Sequence, residues 1–393
     1  MSGIVLNEQQ TEAVRKAKEW FNKYRLNRNS VRQYFEISGP AGSGKTTIVK
    51  TLIYELGLTL EDVCFMALVG KATLVMTRSG TPAKTIHSTI YDYKDIVTQE
   101  KDRRGNPVLQ KRFVLKDFID PNIKMLVIDE GGMVDGQKAL DILSFGIPCI
   151  ILGDLNQLPP VFGKSFFLMR PDVILTQIMR QALENPIIAL STWILNHGHH
   201  LEIKEWGPKC RVISKHDLTD ELLDYVDVVI CGKNATRDTI NRHIRENIRH
   251  IKSELPVIGD VLIARNNNWN LEIDDGIYLV NGMSGVVEDV HLSTFNGKRI
   301  NIDFRPDFIE DKAFYNIPMD YEYFHSPYDK KENKYNFLNK FEFGYALTGH
   351  LSQGSQYNKV IVYAESFGSW DFNKRWLYTC ATRAIDELII AVD

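Results

Sequence analysis

Short apolar runs alternate with helical spacing along the first 175 residues of the chain. Each run has the length of a buried strand, and helical patterns follow at 46–56 and 71–78. Buried strands separated by helices indicate a parallel sheet, whose functional residues usually lie beyond the carboxyl ends of the strands. The pattern therefore predicts an α/β domain. Its predicted strands are 34–38, 63–68, 123–128 and 149–152.

A polar-tipped segment interrupts this first domain. Residues 91–117 form two β-prone arms around a charged stretch at 101–107 that contains Gly105, Asn106 and Pro107. Two such arms around turn-forming residues are typical of a hairpin. We predict a hairpin inserted into the first domain.

The α/β pattern returns in the second half of the chain, and a β-rich stretch interrupts it. A helix at 185–196, a strand at 226–231 and a helix at 234–250 repeat the earlier order. Alternating segments with Asn-Gly turns then predict a small all-β insertion. They are 258–264, 277–290 and 298–304. The second sheet is completed by predicted strands at 341–347, 359–363 and 388–392 and a helix at 371–382.

Residues 39–47, GPAGSGKTT, carry the first recognisable chemistry. This G-x-x-x-x-G-K-T pattern lies between a predicted strand and a predicted helix, where a P-loop is found. Its glycines let backbone N–H groups surround an anion, and the helix N-terminus adds partial positive charge. We expect Lys45 to reach the β and γ phosphates of a nucleotide and Thr46 to bind Mg²⁺. The other expected nucleotide contacts are Gly39, Pro40, Ala41, Gly42, Ser43, Gly44 and Thr47.

Acidic and amide side chains follow the next two predicted strands. Asp129 and Glu130 end the third strand in a Walker B arrangement, in which Asp129 holds Mg²⁺ and Glu130 activates the attacking water. Gln157, in the sequence GDLNQLPP, follows the fourth strand. Its amide can hydrogen-bond both the γ-phosphate and the lytic water, and the prolines stiffen its loop.

Composition limits where other sites can lie. The 393 residues are 44% hydrophobic and 25% charged, with a net charge of −3. Because this charge shows no basic excess, any nucleic-acid site must be a local patch. Without a long apolar run or a leader-like N-terminus, we expect a cytoplasmic protein with no membrane association. The five scattered cysteines are expected to be buried thiols rather than disulfides or metal ligands.

Seven ordered segments resemble the motifs of superfamily 1 helicases, and more narrowly those of the RecD-like and phage Dda-like branch, superfamily 1B. The resemblance extends over nearly the whole chain, and only the hairpin and 315–340 are unmatched. The segments are GPAGSGKTT, TIHST, VIDEGG, GDLNQLPPV, LTQIMRQ, TGHLSQG and YTCATRA.

The resemblance implies an ATP-dependent DNA helicase that translocates on single-stranded DNA, 5′ to 3′, with Mg·ATP between two RecA-like domains. Gln10 matches the glutamine that binds the adenine edge. Arg180 and Arg383 match two arginines that the second domain directs to the γ-phosphate. The implied DNA partners are single strands and single-strand/duplex junctions, and replication or recombination proteins are further candidate partners. The chain is expected to be a monomer. We expect it in the cytosol of a bacterial host, as a phage or bacterial protein.

Other matching positions suggest DNA contacts through the sugar-phosphate backbone. For each, a capping or core hydrogen bond is nearly as good an interpretation. They are Lys71, Thr85, His87, Thr348, His350 and Ser352. Gln353 and Gly354 match a motif that relatives use for DNA or for nucleotide. The hairpin matches the position of a duplex-splitting pin, although a solvated loop explains it equally well.

The implied fold is α/β, with two RecA-like P-loop domains on parallel sheets, a hairpin in the first and a small β-barrel-like insertion in the second. The predicted segments are 1–90 and 119–175 for the first domain, 91–118 for the hairpin, 176–253 and 342–393 for the second domain, and 254–341 for the β-rich insertion.

The chain departs from the family pattern at two places. Gly131-Gly132 replaces a small residue and a serine after the acidic pair, and Leu351 replaces a lysine. The first change removes a hydroxyl and adds backbone freedom next to the acidic pair, and the second removes one expected contact to the DNA backbone. Two alternative functions stay open: a translocase or nuclease-complex subunit that does not unwind DNA, and a nucleotide-gated DNA-binding module.

Overall fold

The computed structural model describes residues 6–68, 70–78, 80–101, 107–159, 165–179, 182, 184–274, 277–293, 299–325 and 338–393. The chain divides into two compact units. The first unit contains residues 1–155 and 159–178, and the second contains 156–158 and 179–393.

A parallel sheet forms the centre of the first unit. Its strand order is β3-β2-β6-β7-β1-β8. The strands are β1 (Tyr34–Ser38), β2 (Val63–Ala67), β3 (Ala83–Thr85), β6 (Met125–Ile128), β7 (Cys149–Gly153) and β8 (Val173–Ile174). The helices are α1 (Glu8–Leu26), α2 (Lys45–Glu55), α3 (Gly70–Arg78), α4 (Ile86–Ile90) and α5 (Gly136–Ser144). The predicted strands of this sheet are confirmed within one or two residues.

Successive residues of the buried strands face opposite sides of the sheet. In β6, Val127 packs into the cluster formed with α1 and α2, whereas Leu126 and Ile128 pack into the cluster formed with α4 and α5. Both faces of each strand are therefore apolar, which is why these runs lack alternation in the sequence.

The inserted hairpin is present and consists of β4 (Tyr91–Lys101) and β5 (Pro107–Leu115). The two strands are antiparallel, with Tyr91 opposite Leu115 and Lys101 opposite Pro107. Most of its predicted charged tip lies outside the described residues.

The second unit contains a six-stranded sheet in the order β19-β11-β20-β21-β10-β9. Only β9 runs antiparallel to its neighbour. The strands are β9 (Lys204–Gly207), β10 (Cys210–Ser214), β11 (Val228–Cys231), β19 (Ala346–Thr348), β20 (Tyr357–Tyr363) and β21 (Ala384–Val392). The helices are α6 (Pro186–His197), α7 (Asp220–Tyr225), α8 (Asn234–His243), α9 (Tyr321–His325) and α10 (Trp370–Ala381).

A five-stranded antiparallel sheet in the order β17-β16-β15-β12-β18, with a separate hairpin of β13 and β14, forms the β-rich insertion. Gly282, in the predicted Asn-Gly turn, has a positive φ of 86°. The strands are β12 (Val261–Ala264), β13 (Asn268–Asp274), β14 (Ile277–Leu279), β15 (Ser284–Ser293), β16 (Arg299–Pro306), β17 (Phe314–Asp320) and β18 (Phe341–Phe343).

Two further sequence expectations concern the cysteines and the helices. All five cysteines are free thiols, four of them buried and Cys64 partly buried. Among the described residues, we find no helix with the length and apolar character needed to span a membrane.

Candidate functional site

Strand register places the P-loop and the acidic pair at one edge of the first sheet. Ser38 is aligned with Gly153, and Ile128 is aligned with Ile151, in parallel pairs with β7. The residues that follow β1 and β6 therefore emerge at the same carboxyl edge, two strands apart. This is the edge at which open α/β sheets bind ligands.

The P-loop geometry depends on glycine at two positions. Gly42 and Gly44 have φ values of 79° and 81°, in a region that other residues rarely adopt. A Cβ atom at Gly44 would also lie 2.3 Å from Nε2 of Gln10. Helix α2 begins at the next residue, Lys45, so the loop leads into a helix N-terminus as predicted.

The side chains of the loop are arranged around its backbone carbonyls. The Lys45 ammonium donates hydrogen bonds to the carbonyl oxygens of Gly39 and Pro40, at 2.5 and 3.2 Å. Ser43 Oγ also donates to the Pro40 carbonyl, at 2.8 Å. Thr46 lies in the first turn of α2 and is exposed.

Gln10 contacts the P-loop directly. The residue is 2% exposed, and its Nε2 donates to the Ser43 carbonyl at 3.0 Å. Its Oε1 accepts from the backbone N–H of Asn7, whose side chain in turn caps the Gln10 N–H, so the pair forms a capping box. The amide of Gln10 therefore joins the start of α1 to the phosphate loop.

The half-buried carboxyl of Asp129 follows β6 and accepts a hydrogen bond from the Glu130 N–H at 2.9 Å. Burial raises the pKa of Asp129 to about 6, the charge of Glu130 adds to this rise, and the Lys45 ammonium opposes it. Two adjacent acids whose negative charges are mutually unfavourable fit a bound cation, because a divalent metal would relieve the repulsion.

Glu130 has an unusual backbone conformation. Its φ of 52° and ψ of 39° lie in the left-handed region, which costs a non-glycine residue on the order of 1 kcal/mol or more. The left-handed turn redirects the chain between β6 and the 3₁₀ turn at Gly131–Met133. Strain of this kind is often found at functional sites, and the pattern of residue types gives no signal for it.

The two glycines after the acidic pair have different packing. A Cβ at Gly131 would lie 2.3 Å from Cγ2 of Ile151, whereas a Cβ at Gly132 would meet Cδ1 of Leu168 at 3.7 Å, an ordinary contact. Close packing against Ile151 of β7 therefore explains the glycine at position 131. No described contact explains the glycine at position 132.

Residues 156–158 follow strand β7 of the first unit in the sequence, but their contacts assign them to the second unit. Leu158 is 4% exposed and packs in the core of the second unit. Its N–H donates to Thr379 Oγ1 at 2.9 Å, and its carbonyl accepts from Nε2 of Gln353 at 2.7 Å. Gln157, immediately before it, is half-buried.

Arg383 is held inside the second unit by its own neighbours. The residue is 3% exposed, and Nε donates to the Thr379 carbonyl at 3.0 Å. Its Nη1 donates to the Ser355 carbonyl at 3.3 Å, and Nη2 donates to Thr382 Oγ1 at 3.1 Å. Arg180, the other predicted arginine, lies outside the described residues.

The predicted DNA contacts differ in how they are engaged. Thr85 caps helix α4 by accepting from the Ser88 N–H at 3.2 Å, and Thr348 Oγ1 accepts from the Leu351 N–H at 3.4 Å. Ser352 is fully buried and donates to the Gly349 carbonyl at 2.8 Å. Each of these three hydroxyls forms a hydrogen bond with a backbone group three residues away in the sequence. The side chain of Lys71 lies outside the described part, and the role of each residue in binding DNA stays a prediction.

The two histidines in this set are partly buried. The rings of His87, Tyr91 and Phe113 form a cluster in which the His87 centroid lies 5.7 Å from Tyr91 and 5.8 Å from Phe113, and the two aromatic centroids lie 5.7 Å apart. Burial lowers the pKa of His87 to about 4, and the charge of Lys138 lowers it further, against the opposing charge of Asp135. Burial also lowers the pKa of His350. Both imidazoles are therefore neutral at pH 7.

Gln353 and Gly354 lie in the same turn of the second unit. The Gln353 amide, 5% exposed, is bonded to Leu158, and Gly354 has a φ of 71°. This gives Gln353 a defined contact that the motif alone does not reveal. Its assignment to nucleotide or DNA stays a prediction.

Sequence reasoning gave no role to Gln9, Leu158 or Thr379. Gln9 Oε1 accepts from the N–H groups of Thr176 and Gln177, both at 3.0 Å, and fixes the segment after β8. Thr379 lies inside the quoted YTCATRA segment, where a single threonine carries no distinctive signal. Only the fold brings these residues to their partners.

A P-loop before a helix and an acidic pair at the same sheet edge define the class: the first unit is a P-loop nucleotide-binding domain. Two family models match parts of the chain. The AAA domain model matches residues 5–212, and the UvrD-like helicase C-terminal domain model matches residues 343–391. The chain belongs to this AAA domain family, among the superfamily 1 helicases.

Curated relatives have low identity over most of the chain. An uncharacterised protein of Methanocaldococcus jannaschii is 25% identical over 91% of this chain and 36% of its own length. The ATP-dependent RecD2 DNA helicase of Deinococcus radiodurans is 24% identical over 90% of this chain and 46% of its own. The ATP-dependent DNA helicase dda of Enterobacteria phage T4 is 26% identical over 67% and 65%. The chain thus spans between about a third and two thirds of these relatives.

Solved structures with the same fold include Pif1 helicases. One of them shows the unwinding of forked double-stranded DNA by two coordinating Pif1 helicases. Its TM-score with this chain is 0.53 at 18% sequence identity, and the match covers 99% of this chain and 92% of the Pif1 chain. Bacteroides Pif1 bound to single-stranded DNA gives 0.52 at 17%, over 99% and 93%. The prediction of an α/β, RecA-like helicase fold is confirmed.

Proposed function

We propose that this chain is an ATP-dependent DNA helicase that translocates on single-stranded DNA in the 5′ to 3′ direction. The observation that carries the proposal is the strand register of the first sheet, which brings the P-loop and the Asp129–Glu130 pair to one edge. The helicase relatives support the choice of DNA as the track.

In this proposal the first unit holds the nucleotide. The loop from Gly39 to Thr47 surrounds the phosphates, Lys45 exchanges its carbonyl partners for phosphate oxygens, and Gln10 recognises the adenine edge. Thr46 and Asp129 would hold Mg²⁺, and the raised pKa of Asp129 beside Glu130 is the observation that fits a cation there. When bound there, Mg²⁺ would neutralise charge on the β and γ phosphates.

The remaining roles concern hydrolysis. Glu130 accepts a proton from the attacking water, and Gln157 orients that water against the γ-phosphate. Arg383 and Arg180 stabilise charge on the transferring phosphoryl group. Because Arg383 belongs to the second unit, hydrolysis then depends on the position of that unit, which is how an ATPase of this kind drives movement.

The DNA contacts are proposed for Lys71, Thr85, His87, Thr348, His350 and Ser352, with Gln353 and Gly354 on either the DNA or the nucleotide side. Contacts from neutral imidazole and hydroxyl groups go to the sugar-phosphate backbone and carry no sequence preference. The proposed substrates are single strands and single-strand/duplex junctions.

Unwinding of duplexes with a 5′ tail or a 3′ tail tests activity and direction together. We expect ATP-dependent unwinding of the 5′-tailed duplex alone, and single-stranded DNA that stimulates ATP hydrolysis. Streptavidin displacement without unwinding of either duplex would instead support a translocase. ATP hydrolysis that DNA leaves unchanged would contradict a motor and favour the nucleotide-gated binding module.

A further inference from the structure

One buried residue in the second unit, through its side chain and its backbone carbonyl, links the backbone next to Gln157 with Arg383, and the proposed function places both of these residues in ATP hydrolysis. Thr379, in α10, is 0% exposed. Its Oγ1 accepts the N–H of Leu158 at 2.9 Å, and its backbone carbonyl accepts Nε of Arg383 at 3.0 Å. Gln157 and Arg383 are therefore joined through a single residue.

The Leu158 N–H belongs to the peptide bond that Gln157 forms with Leu158. A hydrogen bond to this N–H fixes the orientation of the peptide plane that follows the Cα atom of Gln157. The carbonyl of Leu158 is fixed as well, by Nε2 of Gln353 at 2.7 Å. Two buried hydrogen bonds on successive backbone groups leave the chain after Gln157 little rotational freedom.

The hydroxyl of Thr379 is itself oriented. It donates to the Arg375 carbonyl one helical turn earlier, at 2.7 Å, so its lone pairs are available to the Leu158 N–H. On the other side, Arg383 has two more partners, the Ser355 carbonyl and Thr382 Oγ1. The guanidinium therefore has a defined direction that begins at the Thr379 carbonyl.

We propose that Thr379 is a positioning residue, which sets the backbone at Gln157 and the guanidinium of Arg383 in a fixed relation for ATP hydrolysis. This inference rests on the proposed function, since it assumes that both residues act on the γ-phosphate. Thr379 touches neither nucleotide nor water in this mechanism. It acts through the two residues bonded to its hydroxyl and its carbonyl.

The test compares Thr379→Val with Thr379→Ser. Valine has the same shape but removes the acceptor for Leu158, whereas serine keeps it. We expect Thr379→Val to lower kcat for DNA-stimulated ATP hydrolysis by about 10-fold or more with KM changed less than about 2-fold, because small displacements of catalytic groups reduce turnover rather than affinity. Thr379→Ser is expected to retain most of the wild-type kcat.

Thr192→Val is the matched control. Thr192 lies in α6 of the same unit, and its hydroxyl donates to the Ile188 carbonyl at 2.7 Å, the same back-bond that Thr379 makes to Arg375. It has no part in the proposed site, so its kcat and KM should equal those of the wild type. An equal loss in Thr192→Val would mean that any lost helical hydroxyl lowers activity.

A double variant separates positioning from general disruption. If Thr379 acts through Gln157, then Thr379→Val should add little to the defect of Gln157→Ala. Independent, multiplying losses would overturn the proposal, as would an unchanged kcat in Thr379→Val or an equal loss in Thr379→Ser. If the wild-type chain shows no DNA-stimulated hydrolysis, the proposed function fails instead.

Amide hydrogen exchange gives a measurement that needs no active variant. The Leu158 N–H should exchange slowly in the wild-type protein and at a similar rate in Thr379→Ser. Fast exchange of this amide in the folded wild type would contradict the proposal even if Thr379→Val does not fold.

Discussion

Lys45 and Asp129 follow different strands of the first unit, yet the charge of Lys45 acts on the carboxyl of Asp129. The Lys45 ammonium opposes the rise that burial and Glu130 cause in the pKa of Asp129. Lys45 also bonds to the carbonyls of Gly39 and Pro40. The Lys45 ammonium can exchange these carbonyl partners for the phosphate oxygens of a bound nucleotide.

Replacing Lys45 by Ala should abolish ATP hydrolysis while the fold persists. The variant loses the charge that meets the β and γ phosphates, but the loop conformation depends on Gly42 and Gly44. Steady-state ATPase rates and circular dichroism measure the two effects. Lys23→Ala, at an exposed position of α1, serves as the control. Normal turnover in the Lys45 variant would refute the assignment of the P-loop.

The imidazole of His87 gives a second prediction at this scale. Its pKa falls from the ordinary 6.5 to about 4, so the folded protein disfavours the protonated form. Between pH 6.5 and about pH 4, the imidazole therefore binds a proton more readily in the unfolded chain than in the folded protein. The stabilisation from neutral His87 is complete above pH 6.5 and is lost as the pH falls toward 4.

We expect His87→Phe to reduce the loss of stability between pH 7 and pH 5 by about 1–2 kcal/mol. Phenylalanine keeps a ring in the cluster with Tyr91 and Phe113 but cannot be protonated. Urea unfolding at the two pH values measures the difference, and His216→Phe at an exposed position is the control. An identical pH dependence in His87→Phe and the wild type would contradict the shift.

At the scale of elements, the apolar runs predicted the long strands of the first sheet well because both faces of each strand are buried. The predicted strand at 341–347 was wrong as a single strand of the second sheet, because β18 pairs with β12 in the β-rich insertion and only β19 pairs with β11. Helix ends depended on long-range contacts. The predicted helix at 234–250 is an α-helix only to His243, and a π-helix follows at Ile244–Ile248. Arg245, inside that π-helix, bonds to the buried Asp260. Helical periodicity cannot show this change, because its partner is in the β-rich insertion.

The turn after β6 gives a prediction about neighbouring glycines. Gly131→Ala should cost about 1–3 kcal/mol of stability, since its Cβ would lie 2.3 Å from Ile151 in a packed sheet. Gly132→Ala should change stability by less than about 1 kcal/mol, because its Cβ would meet Leu168 at 3.7 Å. Denaturant unfolding of the pair measures both values. Equal effects would show that close packing against β7 does not decide the first position.

At the scale of the whole molecule, the chain crosses between the two units after residues 155, 158 and 178. The segment GDLNQLPP looks like a single motif in the sequence, but 156–158 belong by contact to the second unit.

Within the second unit, buried polar groups connect the parallel sheet with the β-rich insertion. Asp260 is fully buried and accepts hydrogen bonds from Arg245, from Tyr345 and from the Val257 N–H.

Replacing Asp260 by Ala should lower the stability of the second unit by about 3–5 kcal/mol, because it leaves the Arg245 charge buried and unpaired. Asp224→Ala, which removes an exposed partner of Arg249, should cost less than about 1 kcal/mol. Calorimetry of both variants measures the losses. A small effect of Asp260→Ala would mean that water or another acceptor replaces the carboxylate.

The sequence by itself determined the two α/β domains, the hairpin, the β-rich insertion and the local chemistry of the P-loop. Each of these depends on neighbours in the chain: strand length, helical spacing, turn residues and a phosphate loop within nine positions. Tertiary structure decided the left-handed backbone of Glu130, the clash that requires Gly131, and the contacts of Gln353, Arg383 and Thr379 in the second unit. These depend on residues far apart in the sequence, whose distances are set only when the sheets pack. The P-loop could therefore be predicted residue by residue, whereas the groups that position Gln157 could not.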